Sequence, residues 1–169
     1  VKPYAIAPAD ADFLRVVSVM PAAERAADLR EYAASLGADA LADLFAEFVG
    51  LSLSVVANQR AMIELLGITE ADMHPHTAER INLPSIEGAL AGVRLAASID
   101  GGRLCEGCAY RLGSIANQCE PTVKDAVWAR TERRRFNCHE DERTDRDGAP
   151  KRMCGGHAQA LRRERRAAR

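Results

Sequence analysis

The cysteines of this chain are confined to its C-terminal part. All five fall within the last 65 of 169 residues, as Cys105-Glu106-Gly107-Cys108, Cys119, Cys138-His139 and Cys154, and the first 104 residues hold none. A C-x2-C pair places two sulfurs on one tight turn, and two later cysteines complete a tetrahedral set of thiolates. Packing alone explains such clustering poorly, although a free cysteine is also an ordinary small buried hydrophobe. The chain reads as a helical segment followed by a metal-bearing one.

Redox context bears on that reading. The sequence offers no obvious bilayer-spanning apolar run of roughly 20 residues. Val1-Lys2-Pro3-Tyr4 lacks the charged-then-apolar pattern of a signal peptide. The expectation is a cytoplasmic protein with no membrane partner, in which thiols stay reduced and clustered cysteines point to metal rather than to disulfides.

Residues 1–103 read as an α-helical domain. Alanine and leucine supply most of the apolar mass and aromatics are scarce, which favours helix over strand. Pro3 to Pro8 reads as an extended leader, with Asp10 or Asp12 capping a helix through Met20. Pro21 opens a second helix that stops at Gly37. Apolar residues three and four apart from Leu41 to Leu66 predict one long helix or two abutting ones, with Gly50 the weak point and Gly67 the end. A capped turn at Thr69–Asp72, broken by His74-Pro75-His76, precedes a helix from about Pro84-Ser85 to Ile99. Asp100-Gly101-Gly102 marks the junction with a cysteine-rich module over 104–157 of mixed, irregular structure. Within it Pro121–Arg130 reads as a short helix with Val123, Val127 and Trp128 inward, and Asp141–Pro150 as a solvated loop. A basic tail over 158–169 continues a helix begun near Gly155. The long Leu/Phe/Val helix carries more apolar surface than its neighbours cover, so a homo-oligomer or a subunit of a larger assembly is expected.

The C-x2-C … C-x15-C arrangement resembles the cluster-binding frame of the iron–sulfur family of uracil-DNA glycosylases, without that family's catalytic motifs. A closer resemblance is to small uncharacterised cysteine-rich proteins of high-GC bacteria and their phages. It is carried by Cys105-Glu106-Gly107-Cys108-Ala109-Tyr110-Arg111, Phe136-Asn137-Cys138-His139 and Met153-Cys154-Gly155-Gly156-His157. That resemblance implies Cys105, Cys108, Cys138 and Cys154 as the ligands and brings no activity. Cys119 lies outside the pattern and stays an alternate ligand, as do His139 and His157. The metal expected is a [4Fe–4S] cluster, with zinc as the alternative, since thiolates suit both.

Charge divides the chain. Residues 1–104 carry a net −6 and residues 130–169 a net +6. Arg130, Arg133, Arg134, Arg135, Arg162, Arg163, Arg165 and Arg166 form two basic clusters, the electrostatic footprint of nucleic-acid binding, and Trp128 and Phe136 are candidates to stack on bases. A solvated or intramolecular role for the same charges is the competing reading. The paired carboxylates Glu70/Asp72 and Glu140-Asp141-Glu142 read as solvated charge, and no common catalytic motif is present. Three functional classes follow: a metal-binding accessory or regulatory protein contacting nucleic acid, a redox or oxygen-sensing iron–sulfur protein, and a structural zinc module for protein–protein interaction. Enzymatic activity is left open, with the balance against it.

Overall fold

The structure, a computed structural model, describes residues 3–69, 82–138, 148 and 152–169. The described residues are mainly helical: α1 (Pro8–Ser18), α2 (Ala22–Leu36), α3 (Ala38–Leu66), α4 (Ile86–Ala97), α5 (Ile115–Gln118), α6 (Glu120–Thr131) and α7 (Gly155–Ala167). Extended pairing among them is limited to one antiparallel bridge between Asn137 and Met153. The turn expected at Thr69–Asp72 lies, beyond Thr69, outside the described residues. So do His74, His76, His139, Glu140-Asp141-Glu142 and, apart from Gly148, the Asp141–Pro150 loop.

Most helix ends follow local chemistry. Ser85 caps α4 by accepting a hydrogen bond from the Gly88 N–H at 3.0 Å. Gly37 and Gly67 end α2 and α3 with positive φ. The start of α1 differs from the sequence expectation. It begins at Pro8, whose missing N–H is not needed in a first turn, so Asp10 and Asp12 are released for other work. Asp10 accepts a hydrogen bond from the Tyr32 hydroxyl, and Asp12 pairs with Arg94 at 3.1 Å. Together they tie α1 to α2 and α4.

Gly50 does not break α3, which is continuous over 29 residues. A Cβ at Gly50 would stand 3.3 Å from the Pro3 carbonyl oxygen, so this glycine lets the leader cross the helix. The leader is itself core: Tyr4 and Ile6 are buried with Ala11, Leu51, Val55, Ala89, Leu90 and Val93. The opposite side of α3 leaves Leu41, Phe45, Val49, Leu53 and Val56 exposed. Contrary to the sequence reading, α3 is long and apolar enough, by length and composition, to cross a membrane. Its inner face is nonetheless engaged by polar groups, as Ser54 and Asn58 bond the Gln118 side chain at 2.8 and 2.7 Å.

Helix α4 is the central element and packs against α1, α3, α5 and α6. Its Ala89, Leu90 and Val93 join the first core. Its Leu95, followed by Ile99, joins a second core that contains Cys108, Tyr110, Val123, Ala126, Cys154 and Ala160. Close approach to α5 depends on Gly88 and Gly92. A Cβ at either would lie 2.1 Å from a backbone oxygen, that of Gln118 or Asn117 respectively. Gly92→Ala therefore demands a backbone shift, and we expect it to cost about 2–3 kcal/mol or more. A urea unfolding curve with an unchanged midpoint would refute this packing.

Candidate metal centre

The four cysteines implied by the resemblance come from three places in the chain. Cys105 and Cys108 sit on the knuckle turn, closed by a Cys108 N–H to Cys105 carbonyl hydrogen bond of 3.3 Å. Cys138 and Cys154 flank the antiparallel bridge, where Cys138 N–H donates to the Arg152 carbonyl (2.8 Å) and Cys154 N–H to the Phe136 carbonyl (2.9 Å). Cys105, Cys108 and Cys138 line a single cavity of about 160 Å³, together with Arg103 and Arg152. The Cys154 sulfur lies 3.5 Å from that of Cys108. All five cysteines are free thiols. Among the described residues no three His, Cys, Asp or Glu side chains converge tightly enough to hold a single ion as they stand.

The electrostatics of the close pair are unequal. Hydrogen bonding to Cys154, then burial, raises the Cys108 thiol, whereas hydrogen bonding to Cys108 lowers Cys154 to about 6 against opposing burial. The backbone N–H groups of His157 and Gly156, at the start of α7, add to the lowering. The two buried sulfurs thus share one hydrogen bond, and the helix-start N–H groups favour negative charge on Cys154. Arg103 and Arg152 on the cavity wall bring positive charge to a site that would gather several thiolates.

Cys119 stands apart. It is buried at the junction of α5 and α6, and its thiol donates to the Asn82 carbonyl at 3.4 Å. Burial raises it to about 11, a value suited to an inert structural thiol.

His157 is fully buried and both its ring nitrogens are engaged. The Tyr110 hydroxyl lies 2.9 Å from Nδ1, and Nε2 lies 2.8 Å from the Arg134 carbonyl oxygen. A carbonyl only accepts, so Nε2 carries a proton, and Nδ1 is taken up by the tyrosine hydroxyl. That leaves no lone pair for a metal, and the ring joins Tyr110 and Phe136 in an aromatic cluster. Phe136 is thereby drawn against the second core and is half-buried. Trp128, expected inward, is 54% exposed, and Val127 beside it is also exposed; Val123, Ala126 and Ala129 form the inner face of α6 instead. The Arg134 guanidinium covers the Trp128 ring at 5.0 Å.

No protein-family model, curated protein or solved structure matches this chain. The site therefore stands on its own geometry.

The candidate arginines divide into two groups. Arg130 pairs with Glu164 at 3.1 Å, and Arg163 reaches Asp100 (3.4 Å) and the Ala97 carbonyl (3.0 Å), so these two brace α7 against α6 and α4. Arg133, Arg134 and Arg135 are exposed on the turn after α6, and Arg162, Arg165 and Arg166 on α7. The last three recur at helical spacing and share one face.

The residues that sequence reasoning passed over are Asn117 and Gln118, both fully buried. Asn117 donates to the Ala109 carbonyl (2.7 Å) and the Gly92 carbonyl (3.0 Å), and accepts from the Gly113 N–H at 3.2 Å. Ser114 donates to the Cys108 carbonyl at 2.8 Å. The knuckle is thus held from behind by α5. Nothing in the sequence pattern of Asn117 and Gln118 marks them as core.

The Cys-Gly-Gly step discriminates between its glycines. A Cβ at Gly156 would lie 2.5 Å from that of Tyr110, whereas one at Gly155 meets nothing. Gly156→Ala is expected to lower thermal stability by several degrees, the equivalent of about 1–3 kcal/mol, and Gly155→Ala to leave it nearly unchanged. Equal melting temperatures for the two variants would refute this arrangement.

Proposed function

We propose that Cys105, Cys108, Cys138 and Cys154 hold a metal centre, and that the module it orders presents an arginine surface to nucleic acid. The observation that carries the reading is the meeting of remote cysteines: the knuckle and Cys138 share one cavity, Cys154 touches Cys108, and Cys119 is turned away to Asn82. Arg103 and Arg152 at that cavity are the counter-charge a polythiolate centre needs.

A [4Fe–4S] cluster is the first choice of metal. A cavity of about 160 Å³ is several times the roughly 30 Å³ share of one water. Thiols spread around such a space suit a polynuclear group, each sulfur binding its own iron. Zinc is the second reading, favoured by one distance. A tetrahedron with Zn–S near 2.3 Å has an edge of about 3.8 Å, and Cys108 and Cys154 stand at 3.5 Å. With a cluster, the protein would also be suited to redox or oxygen sensing. With zinc, the module would be structural.

The arginines Arg133, Arg134, Arg135, Arg162, Arg165 and Arg166 provide the surface. Neutralising phosphates releases counterions, so binding through them weakens steeply with salt. The exposed apolar stripe of α3, from Leu41 to Val56, is the face on which a second copy of the chain would pack.

Protein purified without oxygen is expected to be brown, with about four irons and four sulfides per chain. Colourless protein with one zinc would select the second metal, and protein with neither would end the proposal. Cys105→Ala and Cys138→Ala should lose the metal and melt the C-terminal third, because binding free energy is folding free energy in so small a module. Cys119→Ala should keep the metal. Replacing Arg162, Arg165 and Arg166 together should weaken nucleic-acid binding and flatten its salt dependence, measured by titration at several salt concentrations.

A further inference from the structure

A second concave feature lies away from the cysteines, between α1, α4 and α6. It is a groove of about 510 Å³, within the range of small-ligand sites. Ala91, Leu95, Val123 and Val127 give it an apolar floor, and Trp128 forms one wall. Arg15, Arg94, Lys124 and Arg130 stand around it, with Glu87 and Glu120 among them. Glu120 is occupied by Lys124, and Arg94 and Arg130 are oriented by Asp12 and Glu164 from outside the groove. Arg15 has no side-chain partner among the described residues. The groove therefore combines a flat aromatic wall, an apolar floor and a cationic rim.

Each part answers one part of a nucleotide. A base buries its faces on apolar and aromatic surface, and its phosphate meets arginine or lysine. Arg134 lies over the Trp128 ring, and a ring has a second face for a planar partner. In a duplex the base faces are already stacked on one another and cannot reach an indole set beside a groove; an unpaired base can.

We propose that this groove seats an unpaired base of a single-stranded nucleic acid against Trp128, with phosphates held by the surrounding arginines and Lys124. The inference rests on the nucleic-acid reading above and narrows it to single strands. It also gives a role to the only tryptophan of the chain, which the core does not require.

That tryptophan makes the test direct, since all indole fluorescence reports on this one site. The metal-loaded, full-length protein is titrated with single-stranded DNA, single-stranded RNA and duplex DNA of one sequence, each about 12 nucleotides long, within the range of single-strand site sizes. Anisotropy of the labelled strand reports binding, and tryptophan emission reports stacking. At least one single strand is expected to bind and quench the emission, and to bind more tightly than the duplex; a preference for DNA or RNA names the source. Trp128→Ala should weaken single-strand binding about ten-fold or more, Trp128→Phe should restore much of it, and duplex binding should not respond. Circular dichroism checks folding, which an exposed side chain should not disturb. Binding without quenching and unchanged in Trp128→Ala would overturn the groove and leave the arginine surface standing. Absence of binding to any strand at low salt would overturn both.

Discussion

The structure depends on the contact of α4 with α5, where α4 presents glycines so that the backbone of α5 can come close. Gly88 and Gly92, four apart on one face of α4, let the Gln118 and Asn117 carbonyls come close enough to forbid any Cβ. The space saved is filled by amide chemistry. Asn117 bridges α4 to the knuckle through the Gly92 and Ala109 carbonyls, and Gln118 reaches back to α3 through Ser54 and Asn58. Each of these buried amides would be costly if left unpaired. Their pairing fixes the knuckle relative to α4 and to α3.

His157 performs the matching task on the other side of the cysteines. Its ring joins Tyr110, two residues beyond the knuckle, to the Arg134 carbonyl on the basic turn. Gly156 makes room for the Tyr110 side chain to lie against α7. A histidine beside a cysteine invites assignment as a ligand, and here both of its ring nitrogens are taken up by hydrogen bonds. One nitrogen donates to a carbonyl and the other is hydrogen-bonded to a phenol. What it does in the fold is orient Tyr110 against the basic turn.

What the sequence made legible was local. Gly37, Gly67, Ser85 and Pro21 punctuate the helices as their backbone chemistry requires. The mainly helical class followed from composition and period. The errors came where tertiary contact overrode the local signal. Gly50 looked like a helix break and is a crossing point for Pro3; Tyr4 and Ile6 looked like leader and are core. Val127 and Trp128 were placed inward on apolarity, but the small residues Ala126 and Ala129 take the packed face of α6 because α4 lies close against it. In the cysteine region, the resemblance left Cys119 outside its pattern, and the Cys119 thiol bonds the Asn82 carbonyl. The supporting shell of Asn117, Gln118 and Ser114 carried no periodic or motif signature. Polar residues become recognisable as core only once their partners are in place.

One backbone detail connects the cysteine region to the charged surface. α6 ends with Arg133 at φ +52, the only non-glycine residue of positive φ among the described residues, followed by an Arg134 N–H to Ala129 carbonyl bond of 2.7 Å. This is the geometry in which helices usually end on glycine, and an arginine there costs about 1–2 kcal/mol against it. The left-handed turn sends the chain back across the end of α6, setting the Arg134 carbonyl on His157 and its guanidinium over Trp128. The turn thus faces two ways, toward the tyrosine–histidine support of the knuckle and toward the indole at the groove. Tyr110, two residues beyond Cys108, is thereby joined through His157 to the backbone of the arginine turn by two hydrogen bonds, so the knuckle and the basic turn share one buried support.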